Sequence, residues 1–493
     1  MRLVGRAGVP SDFARCVASR MGPVWLSFCA SLVLSAIASI AMVAVGRDGA
    51  FYLTIAQQVV EHGPLLAWAQ FDWPWYSLLL AGTHAVSRLP LELCAALWSA
   101  LFIAGTCALM VDLVRQRVPS AAWWACLVVL GMPAVNQFRG EVIREAGYWF
   151  FCTLAIWLAM RWQTRKGGGL AAAIHGAVAL AALFRFEAVL VVFALVLWRL
   201  PDLFTRERRL YFLQMLWVPA LAGVAGSIAV AALGGLDVHR WNYYLELVRP
   251  SAMFAAYHQL AQQFAASLIN KYSVDDAGRI IFIGLAGALL IKCVGLMGPF
   301  SLPFLTRRAW RALVVFWREY KIAAITGAVY ACVLMMFFIR LQFINGRYLS
   351  FLNLMLVPLL AVAAASFNQR YPRWGRVLVC LGLVVMLANV ISFGAKKTHY
   401  VEAGHWVAEH TSPGASIYYE EGRVAYYAGR GYRMNDTPRQ VAMADAQAGL
   451  YEYFVIEAKR NEPSLQPWLA SHGQRILASF ANSKGDTMLI IGR

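Results

Sequence analysis

Acidic side chains and arginines recur near the ends of the apolar segments of this chain. They are Arg47, Asp48, Asp72, Arg139, Glu141, Arg144, Glu145, Arg185, Glu187, Arg340 and Arg347. Arginine binds a phosphate through two hydrogen bonds, and a carboxylate can take a proton from a hydroxyl or amine or hold a divalent cation. Together they could transfer a group away from a phosphate. Charges near a bilayer are costly, so each is a candidate functional residue, although any single one could instead be solvated or paired at the interface.

The composition indicates that these residues belong to a membrane protein. Of 493 residues, 60% are hydrophobic and 14% are charged, compared with roughly 45–50% and about 25% in soluble proteins. The net charge of +18 does not point to nucleic acid, because cytoplasmic loops of membrane proteins are enriched in Lys and Arg. The nine cysteines contain no CxxC pair, which excludes a zinc ribbon and a disulfide framework.

Runs of apolar residues predict about eleven transmembrane helices. The runs cover 23–45, 91–114, 121–138, 146–161, 170–184, 186–199, 211–234, 280–298, 322–341, 348–367 and 376–394. If the N-terminus is cytoplasmic, the short inner loops carry about twice as many Lys and Arg residues as the outer loops. We therefore expect a multi-pass protein of a bacterial inner membrane, with its C-terminus in the periplasm.

Two outer loops and a polar tail lie on the side where the charged residues collect. The loops cover 46–90 and 235–279, and their amphipathic stretches predict helices along the membrane surface. After residue 398 the sequences SIYYE, YFVIEA and DTMLIIGR predict short strands, with helices near 401–410 and 464–473. We expect an all-α polytopic membrane domain over 1–398 and a small periplasmic α/β domain over 399–493.

The donor must be a molecule that is available outside the cytoplasm. ATP and nucleotide sugars are normally absent there, and the sequence has no GxxxxGK[ST] P-loop, no GxGxxG and no DxD motif. A lipid-linked phosphosugar donor fits these absences.

The motif order resembles that of the GT-C superfamily of polytopic glycosyltransferases, especially aminoarabinose lipid A transferases and bacterial relatives of protein O-mannosyltransferases. Asp48 and Tyr52, followed by Gly63, are similar to the family's D-x-x-x-Y…G first-loop motif. The FDWP sequence at 71–74 is similar to the F-E-K-P segment, with a tryptophan in place of the phosphate-binding lysine. In that family the aspartate of the first motif lies at the catalytic centre.

The later motifs follow in the same order. The R-G-E sequence at 139–141 stands where the family has R-x-D between its third and fourth spans, and Glu145 is the competing acid. Arg185 falls at the tip where the family often has T-R or T-K. Arg347 and Tyr348 resemble the R-Y pair that opens a late span and lies near the donor phosphate.

The resemblance implies an inverting transferase that uses a polyprenyl-phosphate sugar and acts on a glycan, lipid A or a protein. The implied catalytic acids are Asp48, Glu141 and Glu145. The implied donor-phosphate ligands are Arg144, Arg185, Arg347 and Tyr348. The implied sugar or acceptor contacts are Tyr52, Trp73 and Tyr76, although the tryptophan cluster could instead anchor at the interface. A divalent cation could be held by Asp48 and Asp72, with Glu141 as a third ligand.

Other functions remain open at this point. A transporter or flippase of lipid-linked glycans would be expected to show internal repeats and polar residues at mid-membrane, and neither is evident. An O-antigen type polymerase or ligase and a non-catalytic scaffold are further alternatives. The tail tyrosines could contact the acceptor or pack the strands; they are Tyr418, Tyr419, Tyr426 and Tyr427.

Overall fold

The computed structural model describes residues 22–232, 249–391, 394, 396–434, 436–458 and 462–493. The arginines ahead of the first span and part of the second outer loop, residues 235–248, lie outside these ranges. The chain divides into two compact units. The first unit comprises the described parts of 1–34, 100–139 and 145–390, and the second those of 35–99, 140–144 and 391–493.

Helices dominate both units. The helices before the second outer loop are α1 Pro23–Ala41, α2 Arg47–His62, α3 Leu66–Gln70, α4 Trp75–Ser87, α5 Leu91–Arg117, α6 Ala122–Gly131, α7 Pro133–Asn136, α8 Glu145–Arg165, α9 Gly168–Phe184, α10 Val189–Leu203 and α11 Arg209–Ala232. Those that follow are α12 Pro250–Ser267, α13 Ala277–Met297, α14 Arg311–Glu319, α15 Lys321–Leu341, α16 Gly346–Arg370 and α17 Pro372–Ile391. Short 3₁₀ turns lie at Pro119–Ala121, Phe186–Ala188, Lys271–Ser273 and Gly298–Leu305.

Seven helices in the described part of the chain are long and apolar enough to cross a membrane. They are α1, α5, α11, α13, α15, α16 and α17. The other four predicted spans correspond to α6, α8, α9 and α10, which fall outside this group. The prediction of one span over 121–138 is wrong, because α6 ends at Gly131 and Pro133 starts a separate turn. Proline lacks an N–H and holds the preceding residue, Met132, in an extended conformation.

Apolar side chains cover the outside of several of these helices. Only 11% of the apolar window is buried in α11 and in α13. Leu221 and Ile283, for example, are mostly exposed. Apolar surface of this extent requires an apolar environment, which agrees with the membrane protein predicted from the composition.

The core of the first unit lies around α16. Of its apolar window, 89% is buried, and the helix packs against α6, α13, α14 and α15. Leu, Val and Ala side chains on all sides of α16 explain this position, because a helix that is apolar all round is stable only when it is enclosed. The enclosed helix holds its first residues, Gly346, Arg347 and Tyr348, in a fixed place.

The α8–α9 hairpin depends on a glycine at close approach. A Cβ on Gly147 would lie 2.4–2.6 Å from three ring atoms of Phe184. We expect Gly147→Ala to lower the free energy of unfolding by about 1–3 kcal/mol, because the ring must move within a packed core. Gly176→Ala on α9 is the control, since nothing lies within 4 Å of the added Cβ. Thermal unfolding in detergent distinguishes the two variants, and equal melting temperatures would contradict the packing described.

The C-terminal part of the second unit is a small α/β layer structure. Its elements are α18 Thr398–His410, β1 Ile417–Tyr419, α19 Gly422–Tyr427, α20 Arg439–Ala442, α21 Asp445–Ala448, β2 Tyr453–Ala458, α22 Leu465–His472, β3 Arg475–Ala481 and β4 Thr487–Gly492. The strand order is β1-β2-β4-β3, with β1 parallel to β2 and the other pairs antiparallel. The predicted strands and helices are confirmed, and β3 is an additional strand that we did not predict.

Alternating side chains of this sheet enter two separate cores. Tyr419 and Val455 face one core, which α18 and α19 cover. Tyr418 and Phe454 face the other, together with Leu469 of α22. Because neighbouring residues in a strand point to opposite faces, both strands are apolar on both sides. Packing in the sheet therefore accounts for Tyr418 and Tyr419.

Candidate active site

Asp48 lies in the first turn of α2. The Gly46 N-cap provides no side-chain hydrogen bond, so the acidic residue near the helix N-terminus supplies the favourable interaction with the helix dipole. Asp48 is half-buried. The aspartate of the first-loop motif is thus held on a regular helix rather than on a loop.

The glycine after Asp48 allows a second segment to approach. A Cβ on Gly49 would lie 2.6 Å from Cγ1 of Val45 and 2.9 Å from Cβ of Val142. The segment 140–144 therefore runs directly against the start of α2, and it carries Glu141 and Arg144. Burial lowers the pKa of Lys397 and Arg423 lowers it further, whereas nearby Glu141 raises it.

Aromatic rings form a wall beside Asp48. The ring centroids of Tyr52 and Tyr76 are 5.5 Å apart, and those of Tyr52 and Phe71 are 6.2 Å apart. The Ser77 hydroxyl donates to the Tyr52 carbonyl (2.9 Å), which joins α4 to α2. The Arg144 guanidinium lies 6.0 Å from the Tyr52 ring centroid and 5.8 Å from that of Phe71. The guanidinium group of Arg144 and the faces of these aromatic rings therefore lie next to each other.

Asp72 is exposed and Trp73 is half-buried in the turn before α4. Among the residues that the structure describes, no three His, Cys, Asp or Glu side chains are arranged to hold a metal ion. The expected cation site of Asp48 and Asp72, with Glu141 as a third ligand, is not such a group and stays a prediction.

Arg139, the first residue of the R-G-E motif, is buried in the first unit. Its Nη1 donates to the carbonyl (3.2 Å) and hydroxyl (2.7 Å) of Ser31, and its Nε donates to Oδ1 of Asn136 (2.6 Å). These contacts fasten the turn after α7 to α1. The structure therefore supports a structural role for this arginine.

A glutamate that we did not predict anchors the start of α2. Glu421 is buried at the end of β1, and its Oε2 accepts from Nε (2.8 Å) and Nη2 (2.6 Å) of Arg47. The same carboxylate accepts from Nε (2.9 Å) and Nη2 (2.8 Å) of Arg423. The Tyr427 hydroxyl also accepts from the Val45 N–H (2.7 Å). These bonds hold the residues on either side of the Asp48 turn.

The ion pairs of Glu421 make the free energy of unfolding depend on pH. Burial would raise the pKa of Glu421, but hydrogen bonds from Arg423 and Arg47 outweigh it and lower the pKa to about 2. When folding lowers the pKa of a carboxyl group, the group stabilises the folded state fully at pH values above its pKa in the unfolded chain. This stabilisation is lost as the pH falls towards the pKa of the group in the folded protein.

We expect Glu421→Gln to lower the free energy of unfolding by about 2–3 kcal/mol at neutral pH. The difference from wild type should narrow between about pH 4.5 and pH 2, where the wild-type carboxyl becomes protonated. Thermal unfolding of both detergent-solubilised proteins at neutral pH and at about pH 3 measures this difference in stability. A difference that is the same at both pH values would contradict the ion pair.

A second group of predicted residues lies in the first unit. Arg185, the C-cap of α9, is buried, and its Nη1 donates to Oε1 of Glu145 (2.8 Å). Its Nη2 donates to Oε1 of Glu187 (2.5 Å), and its guanidinium lies 4.9 Å from the centroid of the Tyr348 ring. Arg347 Nη1 lies 4.0 Å from Oε1 of Glu145. Two carboxylates and two guanidinium groups therefore form one charge-balanced set, in which Arg185 and Glu145 are buried and the other two are partly buried.

The N-terminus of α16 completes this second group. The Asn345 side chain accepts from the Arg347 N–H (3.3 Å) and caps the helix. Tyr348 packs edge-on against Phe337 with ring centroids 5.4 Å apart. A helix N-terminus that also carries an arginine side chain is a suitable place for an anion.

The predicted site residues therefore fall into two groups. The second unit contains Asp48, Tyr52, Asp72, Trp73, Tyr76, Glu141 and Arg144. The first unit brings together Glu145, Arg185, Arg347 and Tyr348. Glu187 was expected among the charged residues at the ends of the apolar segments, but Glu421 was not predicted. The acidic pair that directly follows β1 was the available signal for Glu421.

Comparison with known proteins supports the fold. The crystal structure of ArnT from Cupriavidus metallidurans bound to undecaprenyl phosphate matches with a TM-score of 0.61 and 13% identity, over 95% of this chain and 98% of that chain. The apo structure of the same protein gives a TM-score of 0.58 and 13% identity, over 96% and 98%. The Archaeoglobus fulgidus oligosaccharyltransferase in complex with Zn and sulfate gives 0.49 and 11%, over 87% and 68%.

Sequence comparisons add nothing to this result, because no protein-family model and no curated protein sequence matches the chain. The structural likeness extends over nearly the whole length of both chains. The chain therefore has an ArnT-like fold, as the motif order led us to expect.

Proposed function

We propose that this protein transfers a sugar from a polyprenyl-phosphate donor to an acceptor at the periplasmic face of a bacterial inner membrane. The start of α2 carries the proposal: Asp48 lies in its first turn, and the segment with Glu141 and Arg144 packs against it. The ArnT-like fold supports the proposal, since that enzyme has been crystallised with undecaprenyl phosphate.

In the proposed reaction Asp48 acts as the general base. Its carboxylate takes the proton from an acceptor hydroxyl or amine as that atom bonds to the anomeric carbon of the sugar. The bond from the anomeric carbon to the phosphate oxygen breaks, and its electron pair leaves with the lipid phosphate. Attack from the face opposite the leaving group inverts the anomeric configuration. Guanidinium groups stabilise the charge that develops on the phosphate.

The contacts rank the arginines and the two competing glutamates. Arg185 donates to Glu145 and Glu187 at hydrogen-bonding distance, and this pairing makes it a positioning residue. Arg347 is the stronger candidate for the donor phosphate, because it lies at the N-terminus of α16, where an anion is favoured. Because the Glu145 carboxylate already accepts a hydrogen bond from Arg185, Glu141 is the stronger candidate for the second catalytic acid. No step in this proposal uses a metal ion.

A comparison of cells with and without the gene tests the function. Mass spectrometry of glycolipids, glycans and glycoproteins should show one sugar-sized mass that is lost on deletion, with accumulation of its polyprenyl-phosphate donor. A flippase would instead leave the donor trapped on the cytoplasmic face, where an added periplasmic glycosidase cannot reach it. Accumulated donor that the glycosidase can cleave supports the transferase proposal. Accumulated donor that is protected from the glycosidase contradicts it.

A further inference from the structure

The second unit contains a pocket away from Asp48 that none of the assigned residues explains. It encloses about 660 Å³ between the C-terminal half of α2, the α4–α5 turn and the loop after α19. This volume is within the ~300–1,000 Å³ range of small-molecule sites. We infer that the pocket binds a neutral, hydroxyl-rich saccharide unit of the acceptor, an inference that rests on the proposed transferase function.

A polar stripe of α2 forms one wall. Thr54, Gln57, Gln58 and Glu61 recur at helical spacing and all line the pocket. The Gln57 amide donates to Oε1 of Glu61 (2.6 Å). The buried Oε1 of Gln58 has no hydrogen-bond partner among the described residues. A buried acceptor without a partner is costly unless a ligand or water supplies the donor.

The opposite wall comes from the C-terminal domain. Gly429 and Gly431 have φ values of 71° and 72°, which bring the loop backbone against the pocket. The Tyr432 N–H donates to the Thr54 hydroxyl (2.7 Å), so the loop is fixed to α2. The hydroxyl of Tyr426 donates to Oε1 of Glu92 at the start of α5. The walls are therefore joined by hydrogen bonds on both sides and the pocket is preformed.

The charges identify the ligand class. Two carboxylates, Glu61 and Glu92, line the pocket against one guanidinium, Arg430. That guanidinium already donates to the Thr411 hydroxyl (2.6 Å) and the Ser412 carbonyl (2.7 Å). A phosphate would therefore meet net negative charge. Amides, carboxylates and tyrosine instead offer the alternating donors and acceptors that sugar hydroxyls require.

The test uses two pocket variants of the full-length protein. Gln57→Trp fills the pocket, and Gln466→Trp on α22 is the matched control, an exposed helical glutamine outside the pocket lining. Gln58→Leu removes the buried oxygen that has no partner. Acceptor glycan extracted from the deletion strain is titrated into purified enzyme with its polyprenyl-phosphate donor.

We expect both pocket variants to raise the KM for the acceptor by about five- to tenfold with little change in kcat, which corresponds to one lost hydrogen bond or more. Gln58→Leu should not lower the melting temperature, because the removed oxygen has no partner. An unchanged KM in both pocket variants, or an equal rise in Gln466→Trp, would overturn the inference. So would a product in which the sugar is attached directly to a protein side chain.

Asp48→Asn separates failure of this inference from failure of the proposed function. If Asp48→Asn loses transfer while the pocket variants keep the wild-type KM, only the saccharide site is wrong. If Asp48→Asn keeps full transfer, the proposed role of the α2 start is wrong, and the inference that depends on it is wrong as well.

Discussion

We expect Asp48→Asn to lower the rate of sugar transfer by about 10²–10⁴-fold, the range for loss of a general base. Asparagine keeps the size of the side chain and still suits the first turn of a helix. The variant should therefore accumulate in the membrane at the wild-type level and retain affinity for the lipid phosphate. Loss of transfer with unchanged fold and donor binding assigns the chemistry to the carboxylate itself.

Asp445→Asn is the matched control for Asp48→Asn. Asp445 lies in the first turn of α21, as Asp48 does in α2, and it belongs to the same unit. The Asp445→Asn variant should transfer sugar at the wild-type rate. Mass spectrometry of the product at matched membrane levels compares the three proteins. Equal loss in both variants would show that the effect comes from general destabilisation.

The second large effect is expected at Arg185. Arg185→Met removes the shared partner of the buried Glu145 and the partly buried Glu187, which should cost about 3–5 kcal/mol of folding free energy. Arg185→Lys keeps the charge but loses the planar guanidinium group that reaches both carboxylates. Its free energy of unfolding should therefore lie between those of wild type and Arg185→Met. Adding Glu145→Gln to Arg185→Met should restore part of the stability, since it removes one uncompensated charge.

Arg279→Met provides a control for removal of an ion pair. Arg279 lies 3.1 Å from Asp276, but the two side chains are 83% and 55% exposed. An exposed pair contributes about 0–1 kcal/mol, so this variant should unfold close to wild type. Melting temperatures in one detergent measure the series. If Arg185→Met is as stable as Arg279→Met, the buried charge set is not as we describe it.

The helices and most strands were predictable because their signals are local. Runs of apolar residues give the apolar helices, and α16 begins at Gly346 within two residues of the predicted 348. The strands at 417–419 and 453–458 were likewise evident from β-branched and aromatic residues. Pro133 is also a local signal of a helix break. We nevertheless predicted a single span there, because apolar residues continue on both sides of the proline.

The connection between Glu421 and Arg47 could not be predicted from sequence. These residues are 374 positions apart, and each is ordinary in its local context. Gly49 stands at an unspecified position of the first-loop motif, and only the structure shows that this glycine makes room for Val142. The motifs therefore predicted the candidate site residues, whereas Glu421, which holds the start of α2 in place, was not predicted.

The most direct test of the transferase proposal is an assay with purified protein in lipid nanodiscs. The assay supplies polyprenyl-phosphate sugar and acceptor, and it follows free polyprenyl phosphate and glycosylated acceptor together. We predict one molecule of lipid phosphate released for each sugar transferred, with inverted anomeric configuration and no release by Asp48→Asn. Wild-type protein that binds the donor but leaves its sugar–phosphate bond intact in the presence of acceptor would contradict the proposed function.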